Sequence, residues 1–164
     1  MTTVFRAEEA EANVADLLCF DLGAERFALP LSSIEEIVDG SNIEPARSTG
    51  GALGVLRVRG EVLPVYDATR VLQSPRIQSD PLALILALSN TFVAVLIDTA
   101  EASPRVNLDG LRTPPALIAT DRVLDGVLRV GARWVGLLNA SAFVDALTID
   151  SGLNARLETG HHGR

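Results

Sequence analysis

Apolar and polar positions along this chain change in short bursts of five to eight residues separated by turn formers, a pattern of β-hairpins. Leu17 to Leu22 and Arg26 to Leu31 form the first such pair, with Gly23 supplying the turn and Pro30 closing the second strand. Gly54 to Val58 and Val62 to Asp67 form a second ribbon around Arg59-Gly60. A glycine at the second central position of a tight turn supplies the positive φ such turns need. Pro64, which cannot donate to a ladder, belongs at an edge, a bulge or a barrel corner, so the spacing favours a curved sheet. Leu82 to Leu88 with Phe92 to Ile97, and Val123 to Val130 with Trp134 to Leu138, read as two further ribbons; Ala102 to Leu108 is a weaker strand. Trp134 reads as strand core or barrel rim.

Two stretches carry helical spacing. Ser32 or Ser33 is placed to cap a short helix in which Ile34, Ile37 and Val38 share an apolar face, with Glu35 and Glu36 at its positive end. Asn139 caps a closing helix whose Ala140, Phe143, Val144 and Leu147 fall at i, i+3, i+4 and i+7. A short helical turn through Arg70 and Leu72 follows Asp67, and Gln73 to Asp80, with Pro75, is the best linker in the chain. Ile43 to Leu53 reads as a loop, and Leu111 to Pro115 as an extended connection.

Gly54-Val55-Leu56-Arg57-Val58 recurs verbatim as Gly126-Val127-Leu128-Arg129-Val130, each followed by a tight turn, an apolar strand and a short helix. Such an echo predicts two similar units packed together, each a small barrel of about five antiparallel strands that closes on its own edges. The expected division is an arm over residues 1–15, a first barrel over about 16–72, a second over about 81–138, a closing helix over 139–147 and a tail over 148–164.

Composition narrows the functional classes. A chain of 164 residues, 48% apolar, is able to bury a core. Its 21 acidic and 14 basic residues leave a net charge of −7 with no basic cluster, which argues against nucleic acid. Cys19, the single cysteine, sits among Leu17, Leu18 and Phe20 as a small buried hydrophobe, and no secretory h-region opens the chain; cytoplasmic residence is expected. Pro81 to Ile97 is apolar enough to imitate a membrane span, but Ser89-Asn90-Thr91 at its centre makes two buried strands the better reading.

Catalytic chemistry finds little footing. The two histidines, His161 and His162, are adjacent in the tail, and the composition lacks a Cys/His set for zinc, so neither a metal nor a cofactor is expected. Asp67, Asp98 and Glu101 stand at strand ends, where carboxylates more often cap turns than pair for acid–base work. No phosphate-cradling glycine motif occurs. An enzyme is not expected.

The residues carry a resemblance. The chain from about Asp16 to Leu147 resembles the CheW-like domain of bacterial chemosensory arrays. That family's pattern Gly-Val-x-Asn-Leu-Arg-Gly-x-x-x-Pro-Val-x-Asp-Leu is met by Gly54, Val55, Arg59, Gly60, Pro64, Val65 and Asp67. Supporting pieces are Phe20 to Gly23, Phe27 to Pro30, Ile34 to Ile37, Leu96 to Asp98, Pro114-Pro115 and Leu124 to Val127. The resemblance implies an all-β fold of two SH3-like five-stranded barrels around a shared core, and a non-enzymatic adaptor. Its implied partners are the cytoplasmic tip of a methyl-accepting chemoreceptor, whose helix would lie in a groove between barrels, and the regulatory domain of a CheA-like histidine kinase. Receptor-facing positions of the family fall on Ile34, Glu36, Ile37, Val58 and Arg59, and Ile43 and Pro45 lie near the surface offered to the kinase. Departures are Arg57 for the usual Asn, Ala68 for Leu, and Gly51 where a large apolar residue is usual. Two alternatives stand beside this reading: a specialised adaptor that binds a receptor but not the kinase, and a barrel that binds a small ligand or hydrolyses one.

Overall fold

The computed structural model describes residues 13–45, 52–113 and 122–149. Gly51, Pro114, Pro115, His161, His162, nearly all of the expected arm and nearly all of the tail lie outside the described residues. Ten strands run in chain order: β1 (Val14–Leu22), β2 (Glu25–Pro30), β3 (Ile34–Asp39), β4 (Gly54–Val58), β5 (Glu61–Asp67), β6 (Leu82–Leu88), β7 (Thr91–Ile97), β8 (Thr99–Asn107), β9 (Leu124–Val130) and β10 (Arg133–Leu138). They form two curled five-stranded sheets, in the orders β8-β1-β2-β10-β9 and β3-β6-β7-β5-β4. The fold is therefore all-β, two five-stranded barrels as the internal echo predicts, of the SH3-like kind that the resemblance implies.

The four ribbons form as expected, but the chain is not divided between barrels at the linker. The first sheet joins β1 and β2 to β8, β9 and β10, and the second joins β6 and β7 to β3, β4 and β5. Advancing every strand by five converts one order into the other, so the repeat is real and its halves exchange their leading hairpins. The expected first barrel over 16–72 and second over 81–138 are corrected accordingly. The physical reason lies in the parallel pairings β2 with β10 and β5 with β7, long-range contacts that no local pattern encodes.

Packing follows the same logic. In β1, Leu17 and Cys19 face the interior of the first barrel, while Leu18, Phe20 and Leu22 face a core shared between barrels. In β6, Ala83 and Ile85 fill the second barrel, while Leu84 and Leu86 enter the shared core. Strands buried on both faces read as continuous apolar runs, which is why residues 81–97 imitated a membrane span. Among the described residues no helix is long and apolar enough to cross a membrane. Each fully buried Leu or Phe contributes about 1.5–3 kcal/mol relative to exposure. The closing helix, residues 140–149, lays Phe143, Val144 and Leu147 on the shared core, and Asn139 Oδ1 accepts the Ala142 N–H at 3.0 Å, capping it.

The helix expected after Ser32 or Ser33 does not form. Residues 31–33 make a single 3-10 turn and Ile34 begins β3. The helical spacing of Ile34, Ile37 and Val38 arises from a strand whose register on β6 shifts by one residue between Ile34 and Glu36. A β-bulge resets the period of two and so imitates a longer one. Ser33 Oγ donates to the Pro30 carbonyl at 2.7 Å instead of capping a helix.

Candidate functional site

The turn between β4 and β5 organises the second barrel's open end. Val58 pairs with Glu61 across a two-residue loop, and both loop residues have positive φ, 51° at Arg59 and 82° at Gly60. That is the geometry of a type I′ turn, whose right-handed twist matches the strands it joins. Glycine tolerates it; an arginine in the left-handed region does so at a cost that the surroundings must offset. At the corresponding turn of the other copy, Gly131 holds the position of Arg59, at φ 61°. A bulky cation thus stands where the repeat permits glycine.

Arg59 is fixed by more than its backbone. Its Nη2 lies 2.7 Å from Glu36 Oε1 on β3, so the ion pair ties the two edge strands of this sheet together and helps curl it. With the Arg59 side chain 72% exposed and that of Glu36 23% exposed, the pair contributes at most about 1 kcal/mol to stability, and its effect is chiefly positional. Beside it lies a shallow depression of about 180 Å³ bordered by Glu35, Glu36, Val58, Arg59, Glu61, Leu63, Ile85 and Phe92. Leu63 and Ile85 are buried and form its floor, while Phe92 is exposed. Three carboxylates and one guanidinium rim an apolar base.

The five residues expected to face a receptor are brought to two neighbouring edges but not to one face. Glu36, Val58 and Arg59 border the depression. Ile34 is half-buried against the shared core. Ile37, 38% exposed, follows Glu36 in an extended strand and points to the opposite side. Glu35, Glu61, Leu63, Ile85 and Phe92 were not singled out from the sequence; Glu35 adjoins Glu36, Glu61 and Leu63 belong to the same hairpin as Arg59, and only Ile85 and Phe92 arrive through the long-range pairing of β6 and β7 with β3 and β5. The depression belongs to one sheet, not to the cleft between barrels. Of the two positions near the expected kinase surface, Ile43 is half-buried against the second barrel's interior and Pro45 is exposed. Next to them Arg57 Nε donates to Glu44 Oε2 at 2.6 Å.

The equivalent end of the first barrel is built differently. Matching the hairpins residue by residue places Asp21 where the second barrel has Ala87, Arg26 where it has Phe92, and Glu101 where it has Glu36. These charges satisfy one another. Arg26 donates from Nε to Asp21 Oδ1 at 2.9 Å and from Nη2 to Oδ2 at 3.0 Å, and its Nη1 reaches Glu101 Oε2 at 3.2 Å. Arg133 Nη1 and Thr99 Oγ1 also donate to Asp21, at 3.0 and 2.6 Å. Burial alone would raise the Asp21 pKa, but hydrogen bonds from Arg26 and Thr99 and the charges of Arg26 and Arg133 outweigh it and hold the carboxyl below its ordinary value. The hydrogen bonds to Asp21, opposed by burial and aided by Glu101, raise the Arg26 pKa further above its usual range.

The carboxylates weighed for acid–base work cap turns or join this network. Asp67 Oδ1 accepts from the Thr69 N–H at 2.9 Å and from its hydroxyl at 2.6 Å. Asp98, 5% exposed, accepts the N–H groups of Gly23 at 2.7 Å, Ile77 at 3.1 Å and Gln78 at 3.0 Å, and so clamps the linker to the first hairpin. Among the described residues no three His, Cys, Asp or Glu side chains gather to hold a metal.

Two barrels sharing a core, one end closed by its own charges and the other left as a half-open depression, define a β-barrel interaction module. Residues 16–148 match the CheW-like domain model, and the chain belongs to that family. It is 29% identical over 103 residues to Protein FrzA of Myxococcus xanthus, a match covering 61% of this chain and 64% of FrzA. The matched segment therefore spans less than two thirds of that relative's length. Its fold is similar to that in the crystal structure of the scaffolding protein TtCheW from Thermoanaerobacter tengcongensis. The TM-score is 0.67 and the identity 17%, over 77% of this chain and 84% of that one.

Proposed function

We propose that this chain is a non-enzymatic chemotaxis adaptor of the cytoplasm that couples the cytoplasmic tip of a chemoreceptor to the regulatory domain of a CheA-type histidine kinase. Membership of the CheW-like family supports the scaffold role. One observation carries the choice of receptor surface: of two equivalent barrel ends, the first has its charges mutually paired and the second leaves Phe92, Val58 and the Glu36–Arg59 pair around an open apolar floor. An amphipathic receptor helix lays one apolar side chain on Leu63 and Ile85 and meets the charged rim, the helix-in-groove mode of recognition. The Arg59–Glu36 pair holds that rim in place before the helix arrives, which reduces the ordering cost of binding. The kinase is assigned the neighbouring surface around Ile43 and Pro45, where Pro45 offers exposed contact and Ile43 support from below.

The test is Arg59→Glu, which faces Glu36 with a like charge. Circular dichroism and melting are expected to stay close to those of the parent, since the pair is largely exposed. Co-sedimentation with a chemoreceptor signalling domain is expected to weaken about tenfold or more, the effect of losing a central contact. Undiminished receptor binding would remove this surface from the interface. Retention of CheA-type kinase binding by the same variant would separate the two surfaces.

A further inference from the structure

The repeat makes each surface of one barrel a control for the other, and one comparison points to a second interaction face. In the second barrel Glu44 bridges to Val55 beside β4, and its carboxylate reaches Arg57, two residues along that strand. In the first barrel Arg112 bridges to Val127 beside β9, and Arg129 lies two residues along. The two bridges are matched by identical sequence, Gly54 to Val58 against Gly126 to Val130, and by identical alternation of buried and exposed positions. Positions from which side chains meet at 2.6 Å in one copy therefore hold an acid and a base there and two arginines here.

Arg112 and Arg129 are both exposed, and no carboxylate among the described residues pairs with either. Directly across from Arg129 on the same face is Trp134, 53% exposed. Like charges placed side by side on a sheet repel, and a half-exposed indole keeps apolar surface in water. Both costs fall when a carboxylate-bearing, partly apolar surface covers them. We propose that the outer face of β9 and β10, with Arg112, Arg129 and Trp134, docks an acidic protein segment whose carboxylates meet the two guanidiniums and whose apolar residue lies on the indole. Two guanidiniums beside an exposed indole match carboxylates that flank an apolar side chain, the chemistry of a short acidic stretch of protein. This face is separate from the Glu36–Arg59 depression and does not depend on the assignment of a receptor there.

Trp134 is the chain's single tryptophan, so its emission reports on this face alone. The probe is a synthetic peptide of four glutamates around one phenylalanine, compared with the same peptide carrying glutamines. The acidic peptide is expected to shift Trp134 emission saturably and to lose its effect as salt is raised, while the neutral peptide leaves emission unchanged. In Arg112→Glu the peptide's apparent affinity is expected to fall about tenfold or more, whereas the melting temperature stays equal or rises, because the substitution recreates the ion pair of the other copy. Arg129→Gln, which creates no new pair, is expected to weaken the peptide in the same direction. Equal responses to the two peptides, or affinity unchanged in both variants, would overturn the proposal. So would tighter binding of a single-stranded oligonucleotide than of the acidic peptide. A shift that follows protein concentration without peptide would assign the face to a second copy of the chain and overturn it equally.

Discussion

Arg59 and Asp21 show how single side chains set apart two barrel ends of common design. Arg59 occupies a left-handed turn position that its counterpart leaves to Gly131, and the rim it forms with Glu36 follows from that choice. Asp21 gathers Arg26, Arg133 and Thr99 and is held below its ordinary pKa by hydrogen bonds and charge acting against burial. A carboxylate whose pKa is lowered by folding adds stability that is fully present above its unfolded value and is lost as pH falls through its folded one. Asp21→Asn is therefore expected to lower the melting temperature near neutrality. The difference from the parent should shrink as pH drops below the ordinary carboxylate range, as followed by thermal melts across an acid series. A difference that stayed constant with pH would show that Asp21 acts through packing instead.

At the scale of elements, glycines mark where strands press closest. A Cβ on Gly54 would stand 2.5 Å from the Glu44 carbonyl oxygen, and one on Gly126 2.7 Å from that of Arg112. Both oxygens accept backbone hydrogen bonds that fasten the flanking segment to the sheet. Gly54→Ala and Gly126→Ala are each expected to cost about 1–3 kcal/mol, as overpacking typically does, measured by denaturant melts. Near-equal penalties would follow from the equivalence of the two bridges. The same pairs of strands show what a sequence conveys at this scale. Hairpins were legible because turn chemistry at Gly23, Gly60 and Gly131 and alternation along the strands are local. So was the cap at Asn139. Strand β3 was not, because its bulge between Ile34 and Glu36 puts three apolar residues at helical spacing just after two serines. The site was half legible: the motif around Arg59 marked the turn, but Phe92 and Ile85 join it only through the pairing of β6 and β7 with β3 and β5.

The whole molecule is a reciprocal exchange of hairpins, so neither half of the sequence holds a complete sheet. Residues 81–149 alone would leave β6 and β7 without β3, β4 and β5, and half of the shared core would be exposed. Neither 13–72 nor 81–149 is expected to give a cooperative melt by itself, whereas mixing the two should restore one transition. Cleavage within the linker of the intact chain should leave its melt single. Independent folding of either piece would contradict the exchange. Asp98 adds to this unity, since one carboxylate holds both the first turn and the linker.

That exchange also bears on symmetry. A five-strand unit that lends its first two strands to a neighbour and borrows two in return is, taken alone, a swapped homodimer, and this chain has the connectivity of such a dimer fused end to end. Fusion frees matched positions to diverge, which identical subunits could not do. Joined in one chain, the two matched units carry one sealed rim and one open rim, so the molecule has two different ends.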